Sequence, residues 1–369
     1  MNKYIWQTPN WFDFKYNSKI LIEPLSRARN AQGKLLGKIS SLNIGQETEA
    51  QAEVLVEEAL RTAEIEGMAL NRVAVRSSVA VRLGLPHGLS IKDRNADSLV
   101  EVLLDAIRNN DKPLTSGRLN GWQAALFPTG YSGLRKIKTG TLRGVEPMKV
   151  VSGPVGKEKI HFEAPPKEQA KKELQLFIDW WNNSLGSMDG VLRAATAHLR
   201  FITIHPFEDG NGRIARALTD MALAQDEKLK VRFYSISSQI MKNREEYYDM
   251  LENVQNCRVD STKWFLWFLK CVTLAIEHSE DVTTNVFKRA EFWKKHTQTY
   301  LNEKQKKVIT KMLEAGPEGF AEGLTTRKYV AMTKTSRATA FREIAYLVEK
   351  GILHHSAGKG RSVKYDLIC

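Results

Sequence analysis

Residues 205–216 read His-Pro-Phe-Glu-Asp-Gly-Asn-Gly-Arg-Ile-Ala-Arg, and few backbones satisfy that order. Gly210 and Gly212 flank Asn211 where the chain must turn tightly into a helix, and glycines there let backbone N–H groups approach oxygens closely. The helix that follows offers its amide-rich, partly positive N-terminus to an anion. Arg213 and Arg216 lie at i and i+3, so both guanidinium groups project from one helical face as anion forks. Pro206 biases His205 towards extended backbone and keeps it outside the helix, on an exposed turn where its imidazole can meet a substrate. Spacing alone thus sets a histidine beside an anion cradle suited to a nucleotide polyphosphate.

The string matches the pattern His-x-Phe-x-Asp/Glu-Gly-Asn-Gly-x-x-x-Arg at every defined position and so resembles the Fic family. The resemblance implies a mainly α fold, a Fic helical core with a small β-hairpin flap, and the movement of part of a nucleotide onto a hydroxyl of a target protein. The complete Gly-Asn-Gly with both arginines makes that moiety AMP and the donor ATP. His205 is then the general base towards a Ser, Thr or Tyr hydroxyl. Asn211 and the Gly210 and Gly212 amides brace the α-phosphate, and Arg213 and Arg216 take the β- and γ-phosphates. Ile214 and Ala215 belong to the same nucleotide-binding run. Asp209 is expected to hold Mg²⁺, a hard cation that prefers oxygen ligands.

With 369 residues the chain has room for two or three domains, and 42% apolar with 26% charged residues describes an ordinary globule. No run of about 18 apolar residues occurs, so no membrane span is expected. The start, Met-Asn-Lys-Tyr-Ile-Trp-Gln-Thr, lacks the apolar stretch of a signal peptide. Cys257, Cys271 and Cys369 are few and fall in no motif, which suits a reducing, cytoplasmic setting. The formal net charge is +13, and residues 281–369 carry 17 Lys/Arg against 9 Asp/Glu, a surplus of 8. That asymmetry points to a polyanionic partner near the C-terminus.

Three regions are expected: 1–45, 46–280 and 281–369. The first is an aromatic-rich extension (Tyr4, Trp6, Trp11, Phe12, Phe14, Tyr16) that should pack onto the body of the protein, and it resembles an extension found on some Fic proteins. Residues 46–67 read as an Ala/Glu/Leu-rich helix stopped by Gly67. Its end, Thr62-Ala63-Glu64-Ile65-Glu66-Gly67, resembles the inhibitory helix of Fic proteins. On that resemblance Glu66 pairs with Arg216 and occupies the space of a γ-phosphate, with Thr62 on the same face. Residues 148–162 hold two β-type runs around Gly153–Glu158, a hairpin that corresponds to the family's flap, which holds a target segment by strand addition. Tyr248 and Gln255 resemble by position the family's adenine pocket. His198 reads as a packed core histidine, His161 as a residue at solvent or the cleft edge, and His87 as a loop histidine.

Beyond a long helix from Trp264 to Lys295, helices over 302–315 and 326–332, a Thr333-Lys334-Thr335 turn and a third helix opening at Ser336 precede a hairpin around Gly358-Lys359-Gly360-Arg361. This order resembles a winged helix-turn-helix domain. On that resemblance Ser336, Arg337 and Thr339 begin a recognition helix, while Lys359 and Arg361 touch DNA phosphates. Two other readings stay open: removal of AMP, with Glu66 placing a water, and a DNA-binding regulator with an ancillary Fic core. A homodimer is also left open.

Overall fold

The computed structural model describes residues 3–40, 44–86, 91–152, 159–256, 260–319, 323–357 and 363–368. His87, the hairpin turn 153–158, Cys257, Cys369, Lys359 and Arg361 lie outside the described residues. The chain forms two compact units, Met1–Glu280 and Asp281–Cys369.

The first unit is mainly helical. It runs through α1 (Ser18–Ile39), α2 (Ile44–Ile65), α3 (Arg72–Leu83), α4 (Arg94–Arg108) and α5 (Ser116–Leu126). Two short antiparallel ribbons follow, β1 (Tyr131–Ser132) with β2 (Arg135–Lys136), and β3 (Lys149–Ser152) with β4 (Lys159–Glu163). Then come α6 (Lys167–Asn183), α7 (Gly190–Ile204), α8 (Asn211–Glu227), α9 (Ile236–Lys242), α10 (Arg244–Gln255) and α11 (Thr262–Lys295), which carries the chain into the second unit.

Capping side chains explain where several helices begin. The carboxylates or amides of Asn71, Asp93 and Asp189 and the hydroxyls of Thr115 and Ser235 each accept from a backbone N–H in the first turn of the helix that follows. Helix α7 is buried along its whole length, from Val191 to Ile204, and therefore sits at the centre of the unit. Each large apolar side chain it buries, such as Phe201, contributes about 1.5–3 kcal/mol. Helices α7 and α8 pack together, so the loop between them, which carries His205, is held at both ends by core.

The N-terminal aromatics pack as expected, Tyr4 and Trp6 on the β3–β4 ribbon and Tyr16 on Phe265 of α11. Tyr4 is buried and meets Phe162 of β4 edge-on at 5.4 Å, and the Trp6 indole N–H donates to the Glu163 carbonyl at 2.7 Å. Further along, the Arg200 guanidinium of α7 lies 4.9 Å from the Phe12 ring. In the ribbon, Val150 pairs with Phe162 and Val151 with Ile160, with a bulge between Val150 and Val151.

The second unit holds α12 (Glu303–Gly319), α13 (Thr326–Thr333), α14 (Arg337–Glu349) and the antiparallel pair β5 (Leu353–Ala357) and β6 (Lys364–Leu367), with Leu324 bridging to Tyr365. Val308, Ile309, Tyr329, Ile344, Leu347 and Leu353 form its core. Lys334 ends α13 in the left-handed region (φ 51°), and the Ser336 hydroxyl caps α14 by accepting from the Thr339 N–H at 3.1 Å.

Candidate active site

His205 terminates α7, and its backbone is left-handed (φ 50°, ψ 58°), not extended as Pro206 suggests. The helix end dictates this. The His205 N–H closes the last turn on the Phe201 carbonyl at 3.1 Å, and a left-handed residue is what turns the chain out of a helix. Arg143 then fixes the turn. It is buried, its N–H donates to the Pro206 carbonyl at 3.0 Å, and its Nε donates to the His205 carbonyl at 2.8 Å.

The imidazole is half-buried at the wall of a cleft of about 780 Å³. Its Nδ1 lies 3.2 Å from the Ile202 carbonyl. A carbonyl only accepts, so Nδ1 carries the proton and Nε2 keeps its lone pair. Burial, followed by the nearby Arg143 guanidinium, pushes the His205 pKa down to about 4.

The loop after it is built around Asn211. Its side chain accepts from the Phe207 N–H at 3.0 Å and donates to the Phe207 carbonyl at 2.8 Å, so it braces residues 207–211 from within. Gly210 is left-handed (φ 90°), and a Cβ there would also meet Phe127 at 3.0 Å. Asp209 sits at the cleft lip; it accepts from the Gly210 N–H at 2.5 Å and from the Ser132 hydroxyl. Among the described residues no group of three or more His, Cys, Asp or Glu side chains is placed to hold a metal. A lone carboxylate still fits Mg²⁺ that arrives with phosphate oxygens and water as its other ligands.

The two arginines, both on α8, do not face the cleft. Arg213 is buried against the Phe127 ring (4.7 Å) with Nη2 3.6 Å from Asp209, and burial lowers its pKa. Arg216, also on α8, is fully buried and is engaged by residues of α2 and its end. Its Nε donates to the Thr62 hydroxyl at 2.5 Å, and its Nη2 donates to the Thr62 carbonyl at 2.9 Å and to Glu66 Oε1 at 2.7 Å. The Nη1 group has no hydrogen-bond partner among the described residues. Glu66 lines the cleft with its side chain 29% exposed. A Cβ on Gly212 would fall 2.1 Å from Glu66 Oε1, so only glycine lets that carboxylate rest on the first turn of α8. Ile214 and Ala215 are fully buried and point away from the cleft.

The opposite wall comes from α10 and the β3–β4 ribbon. Tyr248 is 39% exposed in the cleft, with its hydroxyl 3.3 Å from the Ile65 carbonyl at the end of α2. Gln255 is buried and donates to the Thr203 hydroxyl at 3.2 Å. His161 reaches across from β4 to Glu252 at 2.6 Å. His198 is a core histidine, bonded to Thr219 and to the Tyr247 hydroxyl at 2.9 Å each, and burial drives its pKa down to about 3.

Arg143 and Ser132 carry no motif, and the residues they hold lie 62 and 77 positions away. No signal in the chain could have singled them out. Ser336, Arg337 and Thr339 sit on the second unit. There Thr339 turns its hydroxyl to Ser336 at 2.9 Å, while Arg337 is exposed.

Residues 113–223 match the model of the Fic/DOC family, and residues 4–85 match a domain of unknown function, DUF4172. A probable protein adenylyltransferase of Aquifex aeolicus is 31% identical over 94 residues, 26% of this chain and 27% of that protein. A uridine 5'-monophosphate transferase of Xanthomonas campestris is 37% identical over 152 residues, 39% of this chain and 27% of that protein. The chain thus spans about a quarter of the length of these two relatives. In fold it is similar to the crystal structure of a Fic family protein from Desulfovibrio desulfuricans, with a TM-score of 0.53 at 17% identity over 94% of this chain and 96% of the other. The chain therefore carries a Fic/DOC family domain, at residues 113–223, and has relatives named as protein adenylyltransferases.

Proposed function

We propose that the chain transfers AMP from ATP to a side-chain hydroxyl of a protein. The observation that carries this reading is one cleft holding both a base-form imidazole and an anion seat: His205, with Nδ1–H turned to the Ile202 carbonyl, opposite the N-terminus of α8. The target hydroxyl oxygen attacks the α-phosphorus as its proton passes to His205 Nε2. A phosphorus–oxygen bond forms, the bond to the bridging oxygen breaks, and pyrophosphate leaves. Backbone amides of the 210–212 turn meet the charge that builds on the α-phosphate oxygens. Magnesium bound with the nucleotide would be held by Asp209 and would neutralise phosphate charge.

On this reading Tyr248 and Gln255, which line the cleft, receive the base, and Val151 and Ile160, both exposed on the ribbon, suit an extended target strand. Glu66 opposes the reaction: its carboxylate occupies the anion seat and holds Arg216, which is needed for the terminal phosphates. A carboxylate engaged in this way favours blocking over placing a water for AMP removal.

The similarity to a uridine 5'-monophosphate transferase favours one second reading, transfer of UMP from UTP. Parallel incubation of the Glu66→Gly variant with α-labelled ATP and α-labelled UTP separates the two, and more label from ATP is expected. Label from UTP alone would overturn the adenylyl reading.

The half-buried imidazole at the cleft wall sets the pH dependence. Its folded-state pKa of about 4 keeps it neutral, and able to accept a proton, throughout the neutral range. The kcat/KM of the Glu66→Gly variant should hold steady down to about pH 5 and fall only near pH 4. Glu66 is among the groups that raise this pKa, so its removal moves the limb down and not up. An acid limb at about 6.5, the value of a free imidazole, would contradict the burial of this base.

For the second unit we infer a winged-helix module that binds DNA. Support comes from charge and exposure: Arg327, Lys334, Arg337 and Arg342 are exposed and have no ion-pair partner among the described residues. Ala338 and Phe341 lie on the same open face of α14, where apolar side chains can meet thymine methyl groups. Titration of duplex DNA at several salt concentrations should show the log–log salt slope fall by about one on Arg337→Ala. An unchanged slope would remove Arg337 from the interface.

A further inference from the structure

Glu58 and Thr62 on α2 and Glu66, in the turn that follows its last residue, stand at four-residue spacing and so share a face. Thr62 and Glu66 hold Arg216, whereas Glu58 belongs to a second, deeper anchor. It is 3% exposed. Its Oε2 accepts from the Ser235 hydroxyl at 2.7 Å and from the Ser237 N–H at 3.1 Å, and its Oε1 accepts from the Ser237 hydroxyl. These bonds tie the middle of α2 to the start of α9.

On α8, Asp220 stands one turn beyond Arg216 and is 1% exposed. Among the described residues neither of its oxygens has a hydrogen-bond partner, and the nearest cationic atom, Arg232 Nε, is 3.5 Å away. Glu58, Asp220 and Arg232 line a void of about 10 Å³, room for roughly one water. Burial, then the Glu58 charge, holds the Asp220 carboxyl well above the usual carboxylate range.

Helix α2 buries Val54, Leu55, Val56 and Ile65, and these apolar contacts share the fixing of its register with the Glu58 anchor. Ala59 and Ala63 are fully buried but small, so they set the spacing to the neighbouring helices and resist sliding weakly. A buried carboxylate behaves differently, because leaving three donors behind strands it without compensation. The anchor has one satisfactory position, and that position puts Glu66 on Arg216.

We propose that Glu58 is a positioning residue that fixes the register of α2 and thereby keeps Glu66 on the anion seat of α8. The proposal rests on the reading of Glu66 as the blocking group. Nothing in it requires Glu58 to touch nucleotide, and Glu58 does not line the cleft.

The test uses the full chain with Glu58→Ala, Glu58→Gln, Glu66→Gly and the Glu58→Ala/Glu66→Gly double variant. Glu58→Ala should raise transfer of α-labelled AMP about tenfold, the worth of roughly one lost charge-assisted hydrogen bond. Glu58→Gln, which keeps the shape and can bond both serines, should stay near wild type. In the Glu66→Gly background Glu58→Ala should add nothing, since the block is already gone. Amide hydrogen exchange over residues 62–66 should quicken in Glu58→Ala and not in Glu58→Gln.

A purely structural role would lower transfer in both backgrounds instead, and that result overturns the proposal. Raised transfer in Glu66→Gly with wild-type transfer and exchange in Glu58→Ala overturns it alone. Wild-type transfer in Glu66→Gly sinks the blocking reading, and exchange at 62–66 still reports whether Glu58 holds α2. Should Glu58→Ala fail to fold, Ser237→Ala removes one donor from the same anchor and should show a smaller rise and faster exchange.

Discussion

Glu66→Gly should raise the transfer of α-labelled AMP by about 10- to 100-fold, corresponding to roughly 1.4–2.8 kcal/mol. The Glu66 carboxylate makes a 2.7 Å bond to a guanidinium that is 1% exposed, and it rests against Gly212 at the start of α8. Breaking a fully buried pair costs about 3–5 kcal/mol, but Glu66 is 29% exposed, so water already screens part of the attraction and the lower range applies. The backbone adds little to this cost: α2 ends at Ile65 and Gly67 is already left-handed, so a glycine at 66 interrupts no helical turn. The freed Arg216 keeps its two bonds to Thr62 and gains a vacant Nη2 direction towards the cleft, where a terminal phosphate can be met. Transfer that stays at the wild-type level in this variant would mean that Glu66 does not restrain the site.

In the Glu66→Gly background, His205→Ala should lower the transfer rate by about 10²–10⁴, the usual worth of a positioned general base. Nucleotide binding should persist, because the anion seat is made by the 210–212 turn and α8, not by the imidazole. His205 is also a left-handed residue, with φ of 50°. Alanine inherits that strain, so part of a lost rate could come from a shifted turn. His205→Asn separates the two effects: asparagine tolerates the left-handed region, keeps the turn, and offers no proton acceptor of comparable basicity. Both variants should be equally inactive if the lone pair on Nε2 is what matters. Activity retained by His205→Asn would assign the histidine to the shape of the turn.

Much of the site could be read from local sequence because its parts are local. The glycines around Asn211 call for a tight turn into a helix, and the turn is there, with Gly210 left-handed and α8 opening at Asn211. The four-residue spacing of Thr62 and Glu66 puts them on one face of a helix that stops before Gly67, and both reach Arg216. The β-type runs about the 153–158 segment pair as β3 and β4.

The remaining features depend on contacts between distant segments. Pro206 argued for extended backbone at His205, but the need to close α7 on Phe201 and the grip of Arg143 on the two following carbonyls outweigh the local preference. Arg213 and Arg216 at i and i+3 looked like two forks aimed at one anion. Burial instead turns Arg213 onto Phe127 and commits Arg216 to α2. Ser336 and Thr339, expected to begin a recognition helix, do begin α14, and there their hydroxyls bond to each other at its cap. A polar residue at a helix start serves the cap first, and sequence spacing does not show which side chains remain free.

The most direct measurement follows two labels on one nucleotide. The Glu66→Gly variant is incubated with ATP labelled at the α-phosphate and, separately, at the γ-phosphate, and radioactivity bound to denatured protein is counted. Attack at the α-phosphorus predicts stable α-label on protein, no γ-label, and loss of the α-label in the Glu66→Gly/His205→Ala double variant. Protein-bound γ-label, or no bound label of either kind, would contradict nucleotidyl transfer by this cleft.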